Sequence, residues 1–318
     1  MVCHNGRLPY DGGMKRGAPL LAAMLTVLAG CGPGTAATPL AHGATSAPPS
    51  AAGSPTPLDP LTGCTSSVRF SALPVLARLQ NADDVSVAPD GSIWVSDATS
   101  QLEHLSSAGA LLQRILDARA PEGIVVRPDG SLLVAEQRPD RVVLLQPAQP
   151  AVLRTVLQLN LPAGATGVDG IGYDATIDSV LVPDSPNGTV LEKPVTGGTT
   201  TQLASGLGRP VGVAMVEDGS FVVTAENSTG LVHIPARGGA GSPVPGLSDA
   251  DDVVMSGPLA YVTSLGTHQL LAVDLTTLRT RVLVTNVDSP QGLAQLPGGK
   301  LVLTDSTTGT IAIASGCD

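Results

Sequence analysis

The most constraining feature of this chain is a pattern of about 40 residues that occurs six times before the C-terminus. Each copy contains a short apolar run, a turn of the Pro-Asp-Gly type and a second apolar run that ends near an acidic residue. Short Val- and Leu-rich runs at this period, without helical spacing, are typical of the four-stranded blades of a β-propeller. We therefore predict an all-β fold, a six-bladed β-propeller closed by an N-terminal strand. The copies begin with residues 82–97, 121–136, 168–184, 210–226, 250–264 and 290–305.

Composition excludes several classes of partner. The chain is 14% charged with a net charge of -10, and it contains one Trp, two Phe and three Tyr. Binding to nucleic acid depends on Lys and Arg at the phosphates, and binding of single strands depends on aromatic rings that stack on bases. We therefore expect no nucleic-acid partner and no direct attraction to anionic lipid.

The N-terminus has the features of an export signal. Lys15 and Arg16 precede an apolar stretch, 18–30, that is too short to span a membrane. It ends in Leu-Ala-Gly followed by Cys31, which resembles the bacterial lipobox, in which the Cys is lipidated and becomes the mature N-terminus. An ordinary signal peptide with a Cys at its cleavage site is the alternative.

These features divide the chain into four predicted segments. Residues 1–13 have no place in such a signal, so Met14 is the predicted start and 14–30 the lipoprotein signal peptide. Residues 31–63, rich in Pro, Ala, Ser and Thr, form a predicted disordered tether. Residues 64–318 form the propeller. The predicted product is exported, monomeric, and held at the outer face of the cytoplasmic membrane or in the cell envelope through a lipid on Cys31.

Ring closure is predicted from the last repeat, which supplies only three apolar runs. The segment 68–79 has no repeat of its own, and its residues 75–79 can supply the outermost strand of the last blade. Cys64 and Cys317 lie at the two ends of the exported domain and are predicted to form a disulfide. Two free thiols are the alternative.

Acidic residues recur where the first strand of each repeat begins, so they are predicted to converge on one mouth of the central channel. The functional hypothesis is a site for Ca²⁺ or another divalent cation, because Ca²⁺ accepts several oxygen ligands with loose geometry. Solvated carboxylates without a metal are an equally weighted alternative. No other cofactor is predicted. The predicted metal ligands are Asp83, Glu122, Asp169 and Asp251, while Val211 and Gln291 occupy the other two positions.

A second set of acidic residues ends the second strands. These side chains are expected to bond the backbone N–H groups of the following turn. Zinc is disfavoured, because the His residues of the domain are scattered over three repeats. No nucleophile motif is visible in the sequence. The second set is Asp97, Glu136, Asp184, Glu226 and Asp305, with Ser264 in the remaining repeat.

The repeats also resemble a known family. The pattern P-x-G-[IV]-x-V-x-x-D-G-x-[LIF]-x-V-[AT]-[DE], best kept at 121–136 and 210–226, is similar to the NHL repeat and to gluconolactonase and strictosidine-synthase-like six-bladed propellers. The resemblance implies metal ligands just before the Gly of a first strand. Glu122-Gly123 and Asp169-Gly170 match this pattern, and Asp83 and Asp251 match by position. The family's Asn-Gly ligand is missing.

Two functions from different classes are therefore predicted. The first is an exported, lipid-anchored module that binds an unidentified small molecule or protein through its acidic top face. The alternative is a Ca²⁺-dependent hydrolase of lactones or esters, in which Asp251 or Asp169 acts as general base. A purely structural surface protein is a third hypothesis.

Overall fold

The computed structural model describes residues 59–117, 119–227 and 230–317. Segments 1–13 and 14–30, and the tether as far as residue 58, lie outside the described residues, so lipidation at Cys31 stays a prediction. Within the described part of the chain, no helix is long and apolar enough to cross a membrane.

Before the first repeat, the chain forms short elements only. Two strands, β1 (Val68–Arg69) and β2 (Val75–Arg78), are accompanied by 3-10 helices at Pro60–Gly63 and Phe70–Ala72. A third 3-10 helix, Ser185–Asn187, follows later in the chain. Asp59 caps the first helix, since its Oδ1 accepts a hydrogen bond from the Leu61 amide at 3.0 Å.

The predicted six blades are present, each an antiparallel sheet around a common channel. In blades 1 to 5 consecutive strands neighbour one another, so each blade is a meander with its first strand at the channel. The strands are, for blade 1, β3 (Ala82–Val87), β4 (Ile93–Asp97), β5 (Gln101–Leu105) and β6 (Leu111–Leu116); for blade 2, β7 (Pro121–Val126), β8 (Leu132–Glu136), β9 (Arg141–Leu145) and β10 (Leu153–Gln158); for blade 3, β11 (Gly172–Asp174), β12 (Ser179–Asp184), β13 (Thr189–Pro194) and β14 (Thr201–Ser205); for blade 4, β15 (Arg209–Met215), β16 (Phe221–Glu226), β17 (Gly230–Ile234) and β18 (Ser242–Val244); for blade 5, β19 (Ala250–Ser256), β20 (Leu259–Ser264), β21 (Gln269–Asp274) and β22 (Arg279–Thr285); and for blade 6, β23 (Pro290–Gln295), β24 (Leu301–Asp305) and β25 (Thr310–Ala314).

The burial of each strand follows from its place in a blade. The second strands β4, β8 and β24 are buried at every residue, because neighbouring blades cover both of their faces. This explains their continuous apolar runs, which do not alternate as a half-exposed strand would. The outer strand β6 is exposed at most positions, since only its inner edge packs on the blade.

The Pro-Asp-Gly turns join first and second strands as the sequence predicts. In blade 1, Gly91 has φ of 81°, a conformation that glycine adopts without strain. Asp90 Oδ1 accepts hydrogen bonds from the amide of Ser92 at 2.9 Å and from its hydroxyl at 2.7 Å. The same pair of bonds recurs at Asp129 and Ser131 in blade 2. Local turn chemistry therefore explains why the motif repeats.

The ring is closed as predicted. Strand β2 pairs antiparallel with β25, with Val75 opposite Ala312 and Arg78 opposite Thr310, and supplies the outermost strand of blade 6. The Cys64 and Cys317 sulfurs are joined in a disulfide. Unexpectedly, β1 pairs parallel with β22 as a fifth strand of blade 5. The segment 68–79 is long enough to cover two blades, and Phe70 packs into the core beneath them.

The disulfide encloses most of the fold, so its loss should weaken the ring without opening it. The cysteines are 253 residues apart, and the chain-entropy relation gives about 5 kcal/mol for a loop of this size. We expect Cys64→Ser/Cys317→Ser to lower the free energy of unfolding by up to this amount, measured by urea denaturation.

A reductant supplies the matched control. It should destabilise the unmutated protein and leave the double variant unchanged. Equal stability of the oxidised protein and the variant would contradict a stabilising role for the bond.

Candidate functional site

Bulges at the start of the first strands position the acidic residues. In blade 1, Ala82 pairs with Asp97 and Val85 with Val95, so Asp83 and Asp84 together face a single residue of the second strand. The same register shift occurs in blades 2, 4, 5 and 6. Such a bulge re-aims successive side chains. Two consecutive residues thus face the channel in each of these blades.

The second bulge position is glycine in most blades, because the inner strands approach too closely for a side chain. A Cβ added at Gly123 would lie 2.6 Å from the amide nitrogen of Ile171, and one at Gly292 would lie 2.6 Å from the Cα of Asp84. In blades 1 and 5, Asp84 and Asp252 take the place of this glycine. Their carboxylates accept hydrogen bonds from the next blade, at the amides of Ile124 and Leu293 respectively.

The acidic mouth, which we define by Asp83, Glu122, Asp169 and Asp251, surrounds a cavity of about 10 Å³. This is the volume that one water molecule needs, about 10–15 Å³. The structure thus brings together the four residues predicted as ligands, and each of them has a close protein partner.

Asp83 and Glu122 form one partnership. Burial raises the pKa of Glu122 to about 12, with further contributions from its hydrogen bond to Asp83 and from nearby carboxylates. Burial also raises the pKa of Asp83, although the contact with Glu122 opposes this shift. A neutral Glu122 that donates its proton to an ionised Asp83 satisfies both side chains, as in other carboxyl pairs that share a proton.

Asp169 has a guanidinium as its partner. Arg209 donates to Asp169 Oδ2 at 2.5 Å and also bonds the Glu226 carboxylate. Burial raises the pKa of Asp169 to about 6, and the positive charge of Arg209 limits that rise. Arg209 is the first residue of β15, in the blade that has Val211 at the mouth, so the blade without an acidic residue at that position supplies the cation.

Asp251 is held by an amide. With its amide nitrogen turned toward Asp251, Gln291 donates to both carboxylate oxygens at 2.7 and 3.0 Å. Burial raises the pKa of Asp251 well above its usual range, and the charges of Asp169 and Asp83 add to the shift. Gln291, which replaces an acid at its own position, therefore donates hydrogen bonds to the acid of the neighbouring blade.

These partnerships do not fit a metal centre. Asp169 is committed to Arg209, Asp251 to Gln291, and Asp83 to Glu122, so each of these carboxyl groups already has a protein partner. Among the described residues, no group of three or more His, Cys, Asp or Glu side chains is arranged to hold a metal ion. Within the protein, the partners of the mouth carboxyl groups are one guanidinium, one amide and a shared proton.

The second set of acids behaves in two ways. Asp97 and Asp305 accept hydrogen bonds from the turns that follow them, at the amides of Thr99 (3.0 Å) and Thr307 (3.2 Å). Glu136 instead forms an ion pair with Arg141, at 2.5 Å.

One alignment within this set was wrong. In blade 4, Pro210 pairs with Ala225, so Ala225 and not Glu226 occupies the position of Asp97. The repeat contains one more residue before its acid than those of blades 1, 2 and 6, which places Glu226 within reach of Arg209.

Two Ser–His contacts were not predicted from the sequence. Ser92 Oγ lies 2.8 Å from His104 Nε2, and Ser220 Oγ lies 2.7 Å from His233 Nε2. In blade 1 the carboxylate, Asp90, contacts the serine and not the histidine. A nucleophilic triad needs the acid to orient the histidine. These contacts therefore fix the Asp-Gly-Ser turns to the third strands.

Sequence reasoning also missed Arg209, Asp84 and Asp252. Arg209 could have been noticed as a cation just before the repeat whose mouth position is Val211. Asp84 and Asp252 carry a clearer signal, because both replace a glycine that recurs in the other repeats. Their partners lie on other blades, which no single repeat reveals.

No protein-family model matches this chain, and no curated protein matches it in sequence. Solved structures match its fold. The chain is similar to a calcium-binding protein, regucalcin, from Agrobacterium tumefaciens, with 14% identity over 79% of this chain and 97% of that chain and a TM-score of 0.64. A gluconolactonase from Xanthomonas campestris gives 13% identity over 75% of this chain and 86% of that one, with a TM-score of 0.61.

A third similar structure is virginiamycin B lyase from Staphylococcus aureus, with 13% identity over 74% of this chain and 80% of that chain and a TM-score of 0.58. These three proteins are named for different functions, and a fold of this kind hosts unrelated functions. At such identities the likeness shows the fold alone: this chain has the propeller fold of the gluconolactonase, regucalcin and virginiamycin B lyase type.

Proposed function

We propose that this protein is an exported, lipid-anchored binding module that holds a cationic small molecule or a basic protein segment at its acidic top face, without catalysis. The observation that carries the proposal is the commitment of each mouth carboxylate to a protein partner. Groups paired in this way provide a fixed negative field and are not poised as nucleophile or base.

The surroundings of the mouth support a cationic partner. Between blades 4 and 5 a hollow of about 320 Å³ is lined by Glu226, Asn227, Asp249, Leu265 and Gly266, and it carries two acids and no base. Arg119, Arg141 and Arg209 at this end of the ring are paired with acids. The net charge of -10 adds a long-range attraction for cations.

The alternative is a hydrolase dependent on Ca²⁺ or another divalent cation, with Asp251 or Asp169 as general base. It is supported by the fold likeness to a gluconolactonase and to a calcium-binding protein, and by carboxylates at the channel mouth. It requires Arg209 and Gln291 to leave Asp169 and Asp251. The observed partnerships therefore support the binding module better.

Binding at the top face can be tested with a short oligolysine peptide, with oligoglutamate as the charge-reversed probe. We expect saturable binding of oligolysine that weakens with salt. Asp249→Asn and Asp288→Asn, at the mouth end, should each weaken it about threefold, since one exposed ion pair is worth about 0.6 kcal/mol. Glu217→Gln, at the opposite end of the ring, is the matched control. Equal effects of all three changes would contradict a site at the top face.

The same titration should depend on pH. Because the pKa of Asp169 is raised to about 6, the mouth gains charge as pH rises from 5 to 7.5, and oligolysine binding should tighten. The free energy of unfolding should change with pH in the direction opposite to the binding of oligolysine. A carboxyl whose folded-state pKa is raised contributes stability while it is protonated, and that contribution is lost as pH rises from about 4 through 6.

The effect of a chelator distinguishes the binding module from the metal-dependent hydrolase. A bound ion would stabilise the folded state by about 2.7 kcal/mol at a hundredfold excess over Kd. Since the mouth carboxylates have protein partners, we expect the chelator EDTA to leave the melting temperature unchanged. Glu122→Gln should change the melting temperature little, because the Gln amide replaces a protonated carboxyl as donor to Asp83 without a change of charge. A chelator-sensitive melting temperature that is lost in Glu122→Gln and kept in Glu136→Gln would instead support the hydrolase.

Anchoring is a separate part of the proposal and has its own test. Cys31→Ser should release the protein from the membrane fraction of an expressing bacterium and leave the melting temperature of the propeller unchanged, because the change lies outside residues 64–318. Retention of the variant in the membrane fraction would refute the lipid anchor.

A further inference from the structure

Beyond the mouth, the central channel widens into a second space that the proposed function does not use. This channel cavity has a volume of about 390 Å³, within the usual range of small-molecule pockets. It is bounded by the later residues of the first strands, so it opens at the end of the ring opposite the acidic mouth. Its walls include Ser86, Val125, Tyr173, Met215, Met255 and Gln295.

The inner end of the cavity is formed by two carboxyl groups. Asp84 from blade 1 and Asp252 from blade 5 lie within hydrogen-bonding reach of each other. They meet across blade 6, where Gly292 has no side chain to separate them. None of the described residues that line the cavity is Lys or Arg, so the walls supply no cation for this pair.

Backbone bonds hold both carboxyls in place and leave them able to accept more. Asp84 Oδ1 and Oδ2 each accept one backbone N–H, from Val85 at 2.7 Å and Ile124 at 3.0 Å. Asp252 repeats this arrangement with Val253 and Leu293, both at 2.7 Å. A carboxylate has about four acceptor sites, so about one or two remain on each group once their contact with each other is counted. Both side chains are partly exposed to the channel.

The walls beyond this pair carry adaptable apolar side chains beside the polar Ser86 and Gln295. Met215 and Met255 have flexible side chains that fit varied shapes. The ring of Tyr173 is fixed, because its hydroxyl donates to Asp178 Oδ1 at 2.8 Å. At the outer end, a hollow of about 480 Å³ is bordered by prolines and by Tyr173, and it continues the apolar surface to solvent.

We propose that the channel cavity binds a small amphiphilic amine, with its primary ammonium between Asp84 and Asp252 and its apolar part along the channel wall. A primary ammonium brings three donors and a positive charge, which match the free acceptor sites of the two carboxyls. An anion would meet like charge there. Among the residues that the structure describes, no group of three or more His, Cys, Asp or Glu side chains is arranged there to hold a metal ion. This site is distinct from the acidic mouth and does not depend on the function proposed for it.

The full-length protein should be titrated with n-hexylammonium chloride, with 1-hexanol as the uncharged probe of equal chain length. We expect one site per chain that prefers hexylammonium over hexanol by about tenfold or more, which corresponds to about 1.4 kcal/mol. Asp84→Asn and Asp252→Asn should each lower hexylammonium affinity about tenfold and change hexanol affinity less than about twofold. Glu217→Gln, a charge change of the same size at the same end of the ring, should change neither.

A measurement on the unmutated protein keeps the proposal testable if the Asn variants fold poorly. Nuclear Overhauser contacts should join the hexyl chain to the methyl groups of Met215 and Met255. The proposal is overturned by an absence of saturable binding, by equal affinity for hexanol, by affinity that both Asn variants retain, or by ligand contacts confined to the acidic mouth.

Discussion

The close approach of the innermost strands at the channel is the constraint on which the other features depend. At Gly123 and Gly292 the neighbouring backbone occupies the place of a side chain. An alanine there would have to displace backbone and not a flexible side chain. At these two positions the ring can therefore close only on a very small residue, and the bulge beside them decides which side chain faces the mouth and which faces the channel.

Electrostatic crowding is the consequence of this architecture. Identical repeats place identical residue types around one axis, so an acidic position in the repeat becomes a ring of acids. The chain relieves the repulsion by departing from its own repeat. The uniform negative charge is interrupted at three positions, by Arg209, by Gln291 and by the protonated Glu122. The departures from the repeat are thus more informative about function than the repeat itself.

The fold could be predicted from sequence because its determinants are local. The Asp-Gly turns, the buried second strands and the missing strand of the last repeat lie within short windows, and so the blades, the closing strand 75–78 and the Cys64–Cys317 bond were predicted correctly. The contacts of the site could not be derived in the same way. They join residues about one repeat apart, as in the bonds from Asp84 to Ile124 and from Arg209 to Asp169. A single added residue in blade 4 was enough to shift Glu226 out of its expected position.

The N-terminal segment connects to the ring in a way that has a mechanical meaning. Cys64 precedes β1 and β2, and it is bonded to Cys317 beyond the last strand. Tension applied to the chain ahead of Cys64 therefore passes through a covalent bond to the end of β25, and the hydrogen bonds of the closing strand lie outside that path. Ahead of the cystine, an ion pair between Asp59 and Arg279 at 2.5 Å and the burial of Leu61 in the core add noncovalent links to the ring. A propeller held by its N-terminal end can thus be pulled without peeling open the seam that makes it a ring.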